Sequence, residues 1–150
     1  MKVTVNSTNG NGIKKLFKRL SNEGSVDVGI LTGEGQHKDS DLTVAEIGFY
    51  HEFGTVKTPE RSFIRSTING ESKAIKKVAR AQYKLVLDGK STNTKGLGIL
   101  GAFTAGLIQQ KFTSNDWKPN SEKTIEDKGS SRPLIDTGQL RQSISFKVNS

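Results

Sequence analysis

The sequence predicts a single α+β domain, a small antiparallel sheet packed against two long helices and shorter ones. Two segments far apart carry the period of half-buried strands. Val26, Val28 and Ile30 alternate with Ser25, Asp27 and Gly29, and Ile144, Phe146 and Val148 alternate with polar neighbours. Between them, two long stretches place apolar residues at helical spacing, one after Pro59 and one from Leu97 to Phe112. A chain of 150 residues is long enough for one core. Its 32% hydrophobic content and 16 glycines imply a modest core, with some stability borrowed from partner subunits.

In chain order, Lys2 to Val5 reads as a short strand, and Asn9-Gly10-Asn11-Gly12 as a turn-rich break. Ile13, Leu16, Phe17 and Leu20 repeat at i, i+3, i+4 and i+7, marking a helix coated by Lys14, Lys15, Lys18 and Arg19. The strand Val26 to Ile30 follows. Residues 32–41 hold glycines, charges and His37 without an apolar period, the signature of a flexible loop. Thr43 begins a second helix that runs to Phe53, with Gly54 in the C′ role. Thr58 and Pro59 fit the N-cap and first position of a third helix reaching about Leu87, because proline has a helical φ and lacks an N–H that a first turn leaves unused. Gly70 is a point where that helix kinks, since glycine there costs about 1 kcal/mol against alanine. Residues 89–95 read as a flexible polar linker, and the helix Leu97 to Phe112 comes next. Trp117 to Ser121 forms a turn, a short helix spans Ser121 to Lys128, and the final strand covers Ser143 to Val148.

The net charge of +8 is unevenly placed. Glu60 to Lys90 holds eight Lys and Arg against three acidic residues. On the third helix, Ile64, Ile68, Ile75, Val78, Ala79 and Val86 share one side, while Lys73, Lys76, Lys77, Arg80 and Lys84 share the other. Such a stripe suits an acidic neighbour or passing DNA. No aromatic stacking motif interleaves it and no helix-turn-helix pattern precedes it, so a protein contact is the stronger reading and a nucleic-acid module the alternative. The absence of cysteine excludes a disulfide framework, a thiolate metal site and a cysteine nucleophile. No run approaches the ~18 apolar residues of a membrane span. The expectation is a soluble protein made in a cytoplasm, without membrane contact.

Four motifs bear on chemistry. His51 beside Glu52 invites an acid/base or metal reading, but HExxH is absent and His37 lies in a loop, leaving a helix-end histidine and an N-capped carboxylate. Gly96-Leu97-Gly98-Ile99-Leu100-Gly101 matches GxGxxG literally, yet no strand precedes it; its glycines read as places where helices or subunits approach closely. Arg61 and Arg65, one helical turn apart, suggest a contact patch for carboxylates or phosphates of a neighbour. Asp136-Thr137-Gly138 reads as a capped tight turn, with φ > 0 at Gly138 and Leu134, Ile135 and Leu140 pinning it to the core. None of these sets implies an enzyme or a cofactor.

Two stretches resemble a known family. His51-Glu52-Phe53-Gly54-Thr55 with Pro59-Glu60-Arg61-Ser62-Phe63, and Trp117-Lys118-Pro119 leading to Asp136-Thr137-Gly138-Gln139-Leu140 and Ile144, are similar to signatures of tail-completion, head–tail joining or neck proteins of tailed bacteriophages. Together they cover just over a quarter of the chain, in the expected order. The resemblance implies a small α+β structural protein of the virion, made in the host bacterial cytoplasm. It also implies a homo-oligomeric ring, often of six, between the connector and the tail terminator.

Overall fold

A computed structural model of the chain describes residues 10–21, 23–31, 41–56, 58–114, 117, 119–120, 122, 125–126 and 138–149. Its elements are α1 (Gly10–Leu20), β1 (Ser25–Ile30), α2 (Val44–Phe53), α3 (Ile64–Gly70), α4 (Ser72–Leu87), α5 (Asn93–Lys111), α6 (Gln139–Gln142) and β2 (Ile144–Asn149). The α+β expectation holds. β1 and β2 pair antiparallel from Ser25↔Asn149 to Ile30↔Ile144, so the two alternating segments meet residue for residue. The expected N-terminal strand, the loop 32–41 apart from Asp41, most of the helix Ser121 to Lys128, and Asp136 with Thr137 lie outside the described residues.

α5 is the central element, lying against both strands and against α3 and α4. Its Ala105 and Ile108, with Phe112 at its C-cap, join Val44, Phe63, Leu140 and Ile144 in the buried core, with Val28, Ile30, Ile47, Ile64 and Trp117 packed around them. The crossing of α5 under the sheet needs a missing side chain. A Cβ on Gly101 would lie 2.6 Å from both Val26 Cγ2 and Phe146 Cδ2. The three glycines of the literal GxGxxG therefore part ways: Gly101 admits the sheet, Gly96 faces Gln82 and Val86 of α4, and Gly98 has nothing within 4 Å.

Three boundaries differ from the sequence reading. The helix expected from Pro59 starts only at Ile64, and the long helix is divided at Glu71 into α3 and α4, beside the glycine where a kink was expected. α5 starts at Asn93 rather than Leu97, because Thr92 Oγ1 accepts from the Lys95 N–H at 3.3 Å. The polar link after α4 is therefore shorter than 89–95, and it folds back by hydrogen bonds from Lys90 and Ser91 N–H to the Leu85 carbonyl. α1 forms where its periodicity places it, yet its apolar ridge is left out of the core, with Ile13 63% and Phe17 67% exposed.

α2 begins at Thr43 as the sequence reading has it, and the structure adds the reason. Thr43 is the N-cap of a capping box: the Thr43 N–H and hydroxyl donate to Glu46 Oε2 at 2.8 Å, and Thr43 Oγ1 accepts from the Glu46 N–H at 3.2 Å. The two hydrogen bonds from Thr43 hold the Glu46 carboxyl below its ordinary value of 4.5. A lowered carboxyl stabilises the fold above its unfolded pKa, and that contribution vanishes as pH falls through the folded value. The destabilisation of Glu46→Ala relative to wild type is therefore expected to be full near neutrality and to shrink below the folded pKa, where alanine's higher helix propensity offsets what is left of it. A difference that stays constant down to pH 3 would exclude a charged cap.

Gly138 caps α6 with φ 75, the left-handed conformation expected from sequence. Its neighbour Leu140 is buried against the core. Gly138→Val forces a β-branched residue into that region and is expected to lose about 2 kcal/mol. A urea midpoint unchanged from wild type would contradict it.

Candidate functional site

The first signature is a closed hydrogen-bonded unit built on Glu52. This residue lies in the last turn of α2 with only 4% of its surface exposed. Its Oε1 accepts from Ser62 Oγ at 2.8 Å, from the Arg65 N–H at 2.9 Å and from Arg65 Nε at 3.1 Å; its Oε2 accepts from the Ile64 N–H at 2.8 Å. The carboxylate of one helix thus caps the first turn of another. That explains why α3 begins at Ile64. The orphan N–H groups of a helix start need acceptors, and here they come from twelve residues upstream.

Arg65 completes the unit. Its Nη2 donates to the Glu52 carbonyl and to Glu60 Oε1, both at 2.8 Å, and its guanidinium carbon lies 4.6 Å from the Phe53 ring centroid. The connecting strand of chain is tied down along its length. The Thr55 N–H donates to the Thr58 carbonyl at 2.8 Å, and the Arg61 N–H to the His51 carbonyl at 2.8 Å. Gly54, at φ 73, passes so close to Glu60 that a Cβ would stand 2.9 Å from its amide nitrogen. Pro59 therefore sits in this loop, and neither it nor Thr58 opens a helix.

Arg61 is the main correction to the sequence reading. It is 5% exposed, and so is no part of an outward contact patch with Arg65. Its Nη2 donates to the Pro119 carbonyl at 3.3 Å and to Asn120 Oδ1 at 3.0 Å. Burial lowers the guanidinium pKa from its ordinary value, though an arginine remains charged. The two signature stretches are thereby joined. Phe63 reinforces the junction, its ring 4.8 Å from that of Phe112, while Lys111 Nζ lies 5.3 Å from the Trp117 ring centroid. Trp117 packs at the edge of the same core. Ser62 and Asn120 had no sequence signal; only the fold shows them as the partners of Glu52 and Arg61.

Elsewhere, Lys73, Lys76, Lys77, Arg80 and Lys84 are all exposed on one face of α4, as the helical spacing predicts. The only acidic partners in ion pairs among the described residues are Glu52 and Glu60, both to Arg65, so the stripe is unneutralised within this part of the chain. The outer side of α2 carries a second exposed feature. Phe49 and Phe53 lie 4.7 Å apart with Tyr50 beside them. Among the described residues, no three His, Asp or Glu side chains group as metal ligands, and no helix is long and apolar enough to cross a membrane. The signature residues His51 to Phe63 thus meet as one folded junction, while the basic stripe stands apart from it on α4. No family model, no curated protein and no solved structure matches this chain.

Proposed function

We propose that the chain is a structural component of a tailed-phage virion, acting in tail completion and head–tail joining as a ring-forming neck protein. The observation that carries this reading is the junction itself. The two stretches that resemble the neck family are tied by Arg61 to Pro119 and Asn120, and their polar groups are spent on folding. Such a junction supports a rigid assembly part. The exposed apolar ridge of α1 and the aromatic face of α2 supply surface for neighbours, consistent with a modest core that gains stability in an assembly.

Two measurements test it. Native mass spectrometry of the purified chain is expected to give a closed oligomer, alone or with a connector protein. Proteomics of purified tailed particles from a strain carrying the gene is expected to find the chain at a few copies per particle. Absence from the particles, with the chain remaining in the particle-free lysate, would overturn the proposal. The second reading, a nucleic-acid module, draws on the unneutralised stripe of α4. It predicts duplex binding whose log affinity falls linearly with log salt, with a slope set by the phosphates contacted. Lys76→Glu with Arg80→Glu is then expected to abolish binding.

A further inference from the structure

We infer that the groove between α4 and α5 is a docking site for an acidic amphipathic helix supplied by another protein. The groove has a volume of about 360 Å³ and is lined by Ala79, Tyr83, Val86, Gly96, Leu97 and Leu100. Gly96 keeps its floor low, since no side chain rises there between the helices. Tyr83 is 55% exposed on the bank. Arg80 also lines the groove, and it belongs to the stripe that continues through Lys73, Lys76, Lys77 and Lys84.

The stripe and the groove lie about a third of a turn apart around α4, given 100° per residue, with Arg80 at their shared edge. The α5 bank is neutral, formed by Asn93, Gly96, Leu97 and Leu100. A ligand must therefore offer an apolar ridge with carboxylates along one flank. An amphipathic helix with anchors at i, i+3, i+4 and i+7 has that form. Charge decides among occupants. A second copy could present its α1 ridge of Ile13, Leu16 and Phe17, but that helix also exposes Lys14, Lys15, Lys18 and Arg19, setting cation against cation. A duplex would satisfy the stripe and leave the apolar groove unfilled.

The inference stands on the groove and the stripe alone, so it fails or survives independently of the virion reading. The probe is a fluorescein-labelled model helix of about 18 residues, with leucines at the anchor spacing and glutamates elsewhere, titrated onto the full chain by anisotropy. Controls are its scrambled sequence and a polyglutamate of equal length. Binding in the micromolar range is expected, at least tenfold weaker for both controls. Tyr83→Glu, and separately Lys76→Glu with Arg80→Glu, are each expected to weaken it about tenfold without moving the melting curve, because all three side chains are exposed. No binding, or equal binding of polyglutamate, overturns the inference. So does a duplex whose affinity ignores Tyr83→Glu but falls with the charge reversals while the model helix does not bind. A self-associated chain that Tyr83→Glu converts to monomer would assign the groove to a second copy and equally overturn it.

Discussion

Glu52→Ala is expected to destabilise the domain by about 3 kcal/mol, measured by urea unfolding. The carboxylate is buried and accepts four hydrogen bonds, from Ser62, Ile64 and twice from Arg65. Alanine leaves two amides of the first turn of α3 and one hydroxyl without their acceptor. Each buried unsatisfied donor costs about 1–3 kcal/mol. The ion pair itself adds little, because the Arg65 side chain is 49% exposed and retains Glu60 and the Glu52 carbonyl. Loss of the cap therefore dominates. Glu52→Gln separates the terms: it keeps one oxygen acceptor and the packing, and is expected to lose roughly half as much. Protection of the Ile64 and Arg65 amides against hydrogen exchange is expected to fall in both variants. If Glu52→Ala unfolds within 0.5 kcal/mol of wild type (about the scatter of a surface substitution), the capping account fails.

The same residue marks where the sequence stops being legible. Local signals were enough for the sheet, because period-2 alternation survives at Val26 to Ile30 and Ile144 to Val148 whatever the partner. They were enough to begin α2 at Thr43, and the capping partner Glu46, only three residues on, is also a local feature. At Pro59 the local rule favoured a helix start, but the actual cap arrives from Glu52 on another helix. A cap supplied across space has no sequence period. Arg61 misled for the same reason, since its partners Pro119 and Asn120 are 58 and 59 residues away. Thr92 was within the same local reach, but it lacks the Glu or Gln at N3 that closes the capping box at Thr43. On α4 the helix alone sets which side chains share a face, so the basic stripe could be read in advance. The groove beside it could not, because it exists only where α5 packs against α4.

Phe63→Ala is expected to have the largest effect, a loss of about 4 kcal/mol. Phe63 and Phe112 are 0% and 1% exposed, with ring centroids 4.8 Å apart at 50°. The substitution removes the transfer free energy of a whole buried ring, leaves a cavity, and strips Phe112 of an aromatic neighbour worth about 0.5–1.5 kcal/mol. The core is small enough for this to matter, with seven buried apolar side chains in its central cluster among the described residues. For a chain of this size 4 kcal/mol corresponds to a fall in melting temperature of roughly 8–16 °C. Phe63→Leu, which refills most of the volume, is expected to lose about 1.5 kcal/mol. Ile68→Ala provides the internal contrast: it lies within α3, which Phe63 precedes as N-cap, but Ile68 is 41% exposed. A partly exposed side chain surrenders little on truncation, so about 1 kcal/mol is expected there. The ordering matters more than any single value, since it distinguishes anchoring from helix propensity. If Ile68→Ala proves as damaging as Phe63→Ala, α3 is held by its length, and the signature phenylalanine is not the pin that fastens the Glu52 junction to α5.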